Sequence, residues 1–222
     1  MFSPTLSLSI LSFAVLCYPS GVAQIITLIT RKDKRNATNK FLTICTCYMI
    51  ATLALVAIYV PYYKSVNCSV NMPWKFIAGV VFGALALLVE FALGYLILRL
   101  HKKKVSTKIT VHSDWSNADW KLWMATMVYA LIEEILYRSA FAYILLDYLN
   151  MPIWIFVTVS SLTYALNHLR LGINVVSQKC VTGALYAILY IISGRSILAV
   201  VLAHEFQNIL VLLIGNIQRQ RR

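Results

Sequence analysis

The chain has 222 residues, 60% of them hydrophobic and only 13% charged, with a mean hydropathy of +0.73. That composition excludes a disordered tail and an ordinary water-soluble domain, and it points to an all-α integral membrane protein. Lys and Arg outnumber Asp and Glu by 20 to 8; in so apolar a chain this excess reads as loop anchors beside a bilayer, so no nucleic-acid partner is expected.

A bilayer core about 30 Å thick takes roughly 20 helical residues to cross, and the apolar stretches divide into about seven spans. They run from Leu6 to Ile29, Phe41 to Tyr63, Trp74 to Leu100, Trp120 to Leu149, Ile153 to Leu169, Asn174 to Ser193 and Ile197 to Ile217. The first basic residue, Arg31, follows an apolar run from Phe2 to Thr30. The basic start of a signal peptide is therefore missing, and an uncleaved N-terminal span is expected. Neither a CaaX ending nor a lipobox-like start is present, so the spans themselves are expected to hold the chain in the membrane. Cys17, Cys45, Cys47, Cys68 and Cys180 form no CxxC pair and fall mostly in apolar runs; they read as small packing residues.

The basic residues sort onto alternate loops. Arg31 to Lys40, Arg99 to Lys121, Arg170, Lys179 and the tail from Arg219 to Arg222 share one side, whereas Lys64, Lys75 and Arg195 fall on the other. By the positive-inside rule the N-terminus lies outside and the C-terminus in the cytoplasm. The loop from His101 to Asp119, with Lys102, Lys103 and Lys104, predicts an anionic-lipid anchor followed by a short surface helix. Three units follow: residues 1–119, the first helices with this basic linker; residues 120–217, a helical core; and residues 218–222, a basic tail.

An ionisable side chain inside a span costs several kcal/mol unless it is paired or faces water, so each one is a functional candidate. The candidates are Glu90; Glu133, Glu134 and Arg138; Asn167 and His168 with Tyr164; and His204, Glu205, Gln207 and Asn208. On a regular helix Arg138 lies roughly 40° round from Glu134 and roughly 140° from Glu133. Glu134 is thus expected to pair with Arg138, leaving Glu133 without a partner on its own helix. The i, i+4 spacing puts Tyr164 and His168 on one face, and likewise His204 and Asn208. Glu90 is expected to accept a hydrogen bond from a neighbouring span or to meet Arg138. Gly79 and Gly83 form a GxxxG, which permits close helix approach but is common by chance.

Glu133-Glu134-x-x-x-Arg138, the aromatic-x-x-x-His from Tyr164 to His168 and the His-x-x-x-Asn from His204 to Asn208 resemble, in order and type, three motifs of the CPBP family. These are the CAAX proteases and bacteriocin-processing enzymes, also called Abi, and they include the Ras-converting CAAX endopeptidases. The resemblance covers about residues 120 to 215, with Tyr164 where the family usually has Phe. It implies a glutamic-type intramembrane endopeptidase with a catalytic core at residues 120–217 and no cofactor. Glu133 would be the general base that activates a water with His168, and His204 and Asn208 the donors to the tetrahedral oxyanion. Glu134 and Arg138 would support, holding their span in register. These residue types suit those roles: a carboxylate takes a proton from water, and fixed N–H donors stabilise negative charge in a low-dielectric site.

Rival readings use the same residues. Glu133, His168 and His204 are a His2Glu set of the kind that catalytic zinc accepts, although His204-Glu205-x-x-Asn208 lacks the second His of HExxH. A transporter would run protons along Glu133, His168 and Glu90, but no inverted repeat supports it. A bacteriocin-immunity protein would bind a partner without cleaving it. The resemblance implies a membrane-associated substrate, whether a CaaX-type chain, a bacteriocin leader or a signalling peptide, and the small chain suggests a multi-pass protein of a bacterial cell membrane.

Overall fold

A computed structural model describes residues 5, 6, 8, 9, 12, 13, 37–68, 72–101 and 120–220. The described chain is mostly helical, with an isolated bridge between Asn67 and Ser196. Helix α1 covers Ala37–Tyr59 and α2 covers Trp74–Leu100. Helix α3 starts at Trp120–Glu134 and continues through wider π-helical turns at Ile135–Ala140 and Tyr143–Tyr148. Helices α4 (Ile153–Leu166), α5 (Ile173–Ile192) and α6 (Ile197–Gln220) complete the bundle, with short 3-10 turns at Tyr62–Ser65 and Leu169–Leu171.

Among the described residues four helical stretches are long and apolar enough to cross a membrane: Lys40–Tyr59, Trp74–Leu100, Ile173–Ile192 and Ile197–Gln218. Helix α4 is only 14 residues long, short of the roughly 20 a full crossing takes. The expected span from Ile153 to Leu169 therefore stops early, and His168 lies in the turn beyond it. Most of the expected first span and all of residues 102–119, with the lysine tract and surface helix, fall outside the described residues.

The outer faces are apolar, with Ile58, Ile77, Leu88 and Ile173 among the exposed side chains, while Glu133, Glu134, Arg138, Ser160, Thr182, His204 and Gln207 are buried. A protein dissolved in lipid is built this way, because polar groups are tolerated only where other protein groups satisfy them. Helix α2 packs on α6 and α5, α4 on α5, α1 on α3, and α3 on α6. The GxxxG of α2 has a definite use. A Cβ at Gly83 would run into the backbone carbonyl of Ala203, and one at Gly79 would come within 2.9 Å of the Leu202 Cβ. Only bare backbone lets α2 lie this close to α6, one residue from His204.

The start of α6 is fixed by the turn before it. The Ile197 amide donates to the Asn67 carbonyl at 2.9 Å, the Asn67 side-chain amide donates to the Gly194 carbonyl at 3.1 Å, and Arg195 pairs with Asp147 at 2.6 Å. The segment after α1 and the end of α3 thus set where α6 enters the bundle, and with it the height of His204.

Candidate active site

Helix α3 brings two adjacent carboxylates into the core, and the surrounding helices treat them differently. Glu134 is sealed, with 0% of its side chain exposed, as is Arg138, whose Nε lies 3.1 Å from Glu134 Oε2. The sequence pattern anticipates this pair, but the backbone around it is not a regular α-helix, since the π-helical turns begin at Ile135. Such widened turns re-aim side chains and are frequent at functional sites. Arg138 also donates from Nη1 to Ser160 Oγ at 2.6 Å, and the Ser160 hydroxyl donates in turn to the Tyr137 carbonyl at 2.7 Å. Its guanidinium lies 5.4 Å from the Tyr164 ring centre. Burial of so strong a cation is offset by the Glu134 carboxylate, the Ser160 hydroxyl and the Tyr164 ring.

The other oxygen of Glu134, Oε1, accepts a bond from His204 Nδ1 at 2.7 Å. A carboxylate only accepts, so Nδ1 carries the proton and Nε2 is the ring atom left to face the cavity. His204 Nε2 lies 3.9 Å from Glu133 Oε2. Glu134 therefore has a second task that register-keeping does not include: it orients His204 across the bundle, as a carboxylate orients a catalytic imidazole.

Since Arg138 goes to Glu134, Glu133 pairs with no cation of its own helix among the described residues. Its Oε1 accepts from Asn167 Nδ2 at 2.7 Å, and the same Nδ2 donates to the Tyr129 hydroxyl at 2.8 Å. Both amide hydrogens of Asn167 are thus spent on one carboxylate and one phenol, so Oε2 is the Glu133 oxygen turned toward His204. A water at about 2.8 Å from both Oε2 and Nε2 is compatible with their separation.

His168 lies in the turn after α4. Its Nδ1 donates to the Tyr164 carbonyl at 3.0 Å, which again leaves Nε2 for other work. Its ring is 5.0 Å from that of Tyr164, and the Tyr164 ring is 6.0 Å from that of His204, so Tyr164 is the wall between the two imidazoles. Asn208 sits one turn beyond His204, half-buried. Glu133, Glu134, Arg138 and His204 are joined by direct contacts, His168 is joined through Tyr164, and Asn208 is joined only by its place on α6.

Asn167 was readable as a polar residue within a span, but the sequence assigned it no role; only the fold shows that it meets Glu133. Tyr186 is likewise missed by pattern. Its ring packs 5.3 Å from that of His204, and its hydroxyl donates to Gln207 Oε1. Lys179 requires a correction. Read as a loop anchor, it sits inside α5 and pairs with Glu90 at 2.7 Å, so it is a second basic residue held within the bundle beside Arg138. Glu90 does not meet Arg138; it takes Lys179 and a hydrogen bond from Thr182 Oγ1 at 2.9 Å.

Among the described residues no group of three His, Cys, Asp or Glu side chains stands close enough to hold a metal ion. Residues 115–210, a stretch that contains Glu133, Glu134, Arg138, Asn167, His168, His204 and Asn208, match the family model described as Rce1-like, Type II CAAX prenyl endopeptidase Rce1-like. No curated protein matches the chain, and no solved structure does.

Proposed function

We propose, from the Rce1-like type II CAAX prenyl endopeptidase domain at residues 115–210, that this membrane protein is an endopeptidase of glutamic type acting on a membrane-associated CaaX-type chain. The observation that carries this reading is the asymmetry of Glu133, held by the neutral Asn167 amide on one oxygen and turned toward His204 at 3.9 Å with the other. Such a carboxylate is fixed in place without being neutralised by a cation.

In this mechanism Glu133 Oε2 takes a proton from a water that His168 Nε2 helps to orient, and the water oxygen attacks the scissile carbonyl carbon. The Asn208 amide stabilises the oxyanion that forms, together with His204 in its doubly protonated form, in which Nε2–H donates to the oxyanion while Nδ1–H is held by Glu134. The proton on Glu133 then passes to the amide nitrogen as the C–N bond breaks, which leaves a carboxylic acid and an amine. Arg138 and Ser160 hold Glu134, so they position the site without touching the substrate.

The test is cleavage of a farnesylated, internally quenched CaaX peptide by the purified protein in liposomes. Expected are turnover by the wild type, loss of turnover in Glu133→Gln, no stoichiometric zinc and no effect of chelators. Stoichiometric zinc with chelator-sensitive cleavage would replace the glutamic mechanism by a metal one. Absence of cleavage, together with full cellular function of Glu133→Gln, would favour a binding protein.

A further inference from the structure

One polar cluster takes no part in that mechanism. Glu90 of α2 and Lys179 of α5 pair at 2.7 Å inside the bundle. Their side chains are 14% and 17% exposed, whereas Glu134 and Arg138 are fully sealed. An ion pair that served only to clamp α2 against α5 would need no opening, and apolar residues would do the same for less desolvation.

The placement of the pair relates it to the site. Lys179, Thr182 and Tyr186 follow one another at helical spacing on a single face of α5. Tyr186 touches His204, and Lys179 lies two turns before it, about 10 Å along the helix axis. Lysine carries three N–H donors, and Glu90 occupies one of them. Glu90, for its part, also accepts a hydrogen bond from Thr182 Oγ1 at 2.9 Å, so its carboxylate keeps a donor when Lys179 turns to a second anion.

We propose that Lys179, poised by Glu90, binds the terminal carboxylate of the substrate peptide. This rests on the CaaX endopeptidase reading, and it adds what that reading lacks, a residue that recognises the end of the chain. Any bond inside a C-terminal CaaX segment is at most three residues from the terminal carboxylate, about 10 Å when extended. That is the same order as the separation of Lys179 from the level of His204. Glu90 then acts as the resident competitor, keeping the ammonium neutralised until a carboxylate arrives.

The experiment compares two farnesylated CaaX peptides that differ only in ending as a free carboxylate or as an amide. Wild type should prefer the acid by about tenfold or more in kcat/KM, chiefly through KM, as expected of one charge-assisted hydrogen bond. Lys179→Met should bring the acid-to-amide ratio close to one, Lys179→Arg should keep a preference for the acid, and Glu90→Gln should raise it by removing the competing anion. The ratio is taken within each variant, so partial loss of folded protein cancels. A wild-type ratio in Lys179→Met overturns the proposal, and if that variant does not fold, an unchanged ratio in Glu90→Gln does so. Wild type that cleaves both peptides equally well refutes this proposal alone, whereas wild type that cleaves neither refutes the endopeptidase reading with it.

Discussion

Removing the charge from Glu133 or from Glu134 is the same chemical change one residue apart, yet the two should behave differently. Glu134→Gln strips the anion from between Arg138 Nε at 3.1 Å and His204 Nδ1 at 2.7 Å. The guanidinium stays buried with Ser160 Oγ as its remaining close acceptor, and the new amide presents a donor to one of two donors. Breaking a fully buried pair in this way costs about 3–5 kcal/mol, which for a chain of this size lowers Tm by roughly 10 °C. Glu133→Gln keeps an oxygen for Asn167 at the position now bonded at 2.7 Å, and no cation is orphaned, so about 1 kcal/mol is at stake. Activity should nonetheless be lost in both, by about 100-fold or more in Glu133→Gln, the usual contribution of a general base. Thermal unfolding of the two variants in the same detergent, with peptide cleavage measured alongside, separates fold from chemistry. Equal destabilisation of the two, or a Glu134→Gln protein as stable as wild type, would refute the division of labour between the carboxylates.

Asn167→Ala should lower kcat by about tenfold or more while the bundle stays folded, because a carboxylate that loses its charge-assisted donor loses about 1.5–3 kcal/mol of positioning; a KM-only effect in steady-state kinetics would argue against that role. Tyr164 has a buried hydroxyl with no hydrogen-bond partner among the described residues, so Tyr164→Phe should raise Tm by removing a group whose burial costs about 1–3 kcal/mol. A drop in Tm would show that the hydroxyl is satisfied. Gly83→Ala should destabilise by about 1–3 kcal/mol and reduce cleavage, since the added methyl meets the Ala203 carbonyl beside His204. Wild-type stability in that variant would mean that α2 and α6 are not packed as described.

Much of this was legible in the sequence because lipid makes polar residues conspicuous. In a chain 60% hydrophobic, a Glu, His or Arg within a span must have a partner or a purpose, and periodicity alone joins Glu134 to Arg138 and sets Glu133 apart. The expected bounds of several spans also stand close to the helices, as with Trp74–Leu100, because hydrophobic run length is a local property. Lys179 shows the limit of that logic. Near the end of an apolar run, periodicity cannot tell a loop anchor from an interior cation, and the difference lies in Glu90, 89 positions earlier in the chain.

The sequence by itself determined that this is a helical membrane protein, that its ionisable residues collect in the later helices, and which of two adjacent glutamates takes the arginine. The tertiary structure alone decided that Glu134 also holds His204, that Asn167 turns one oxygen of Glu133 toward that ring, and that Glu90 meets Lys179. Each of these is a contact between helices. Spacing along one helix sets which face a residue shares, but the partner on another helix depends on the close approach that Gly79 and Gly83 allow and on the widened turns of α3. Those features set depth and rotation, which no single helix determines.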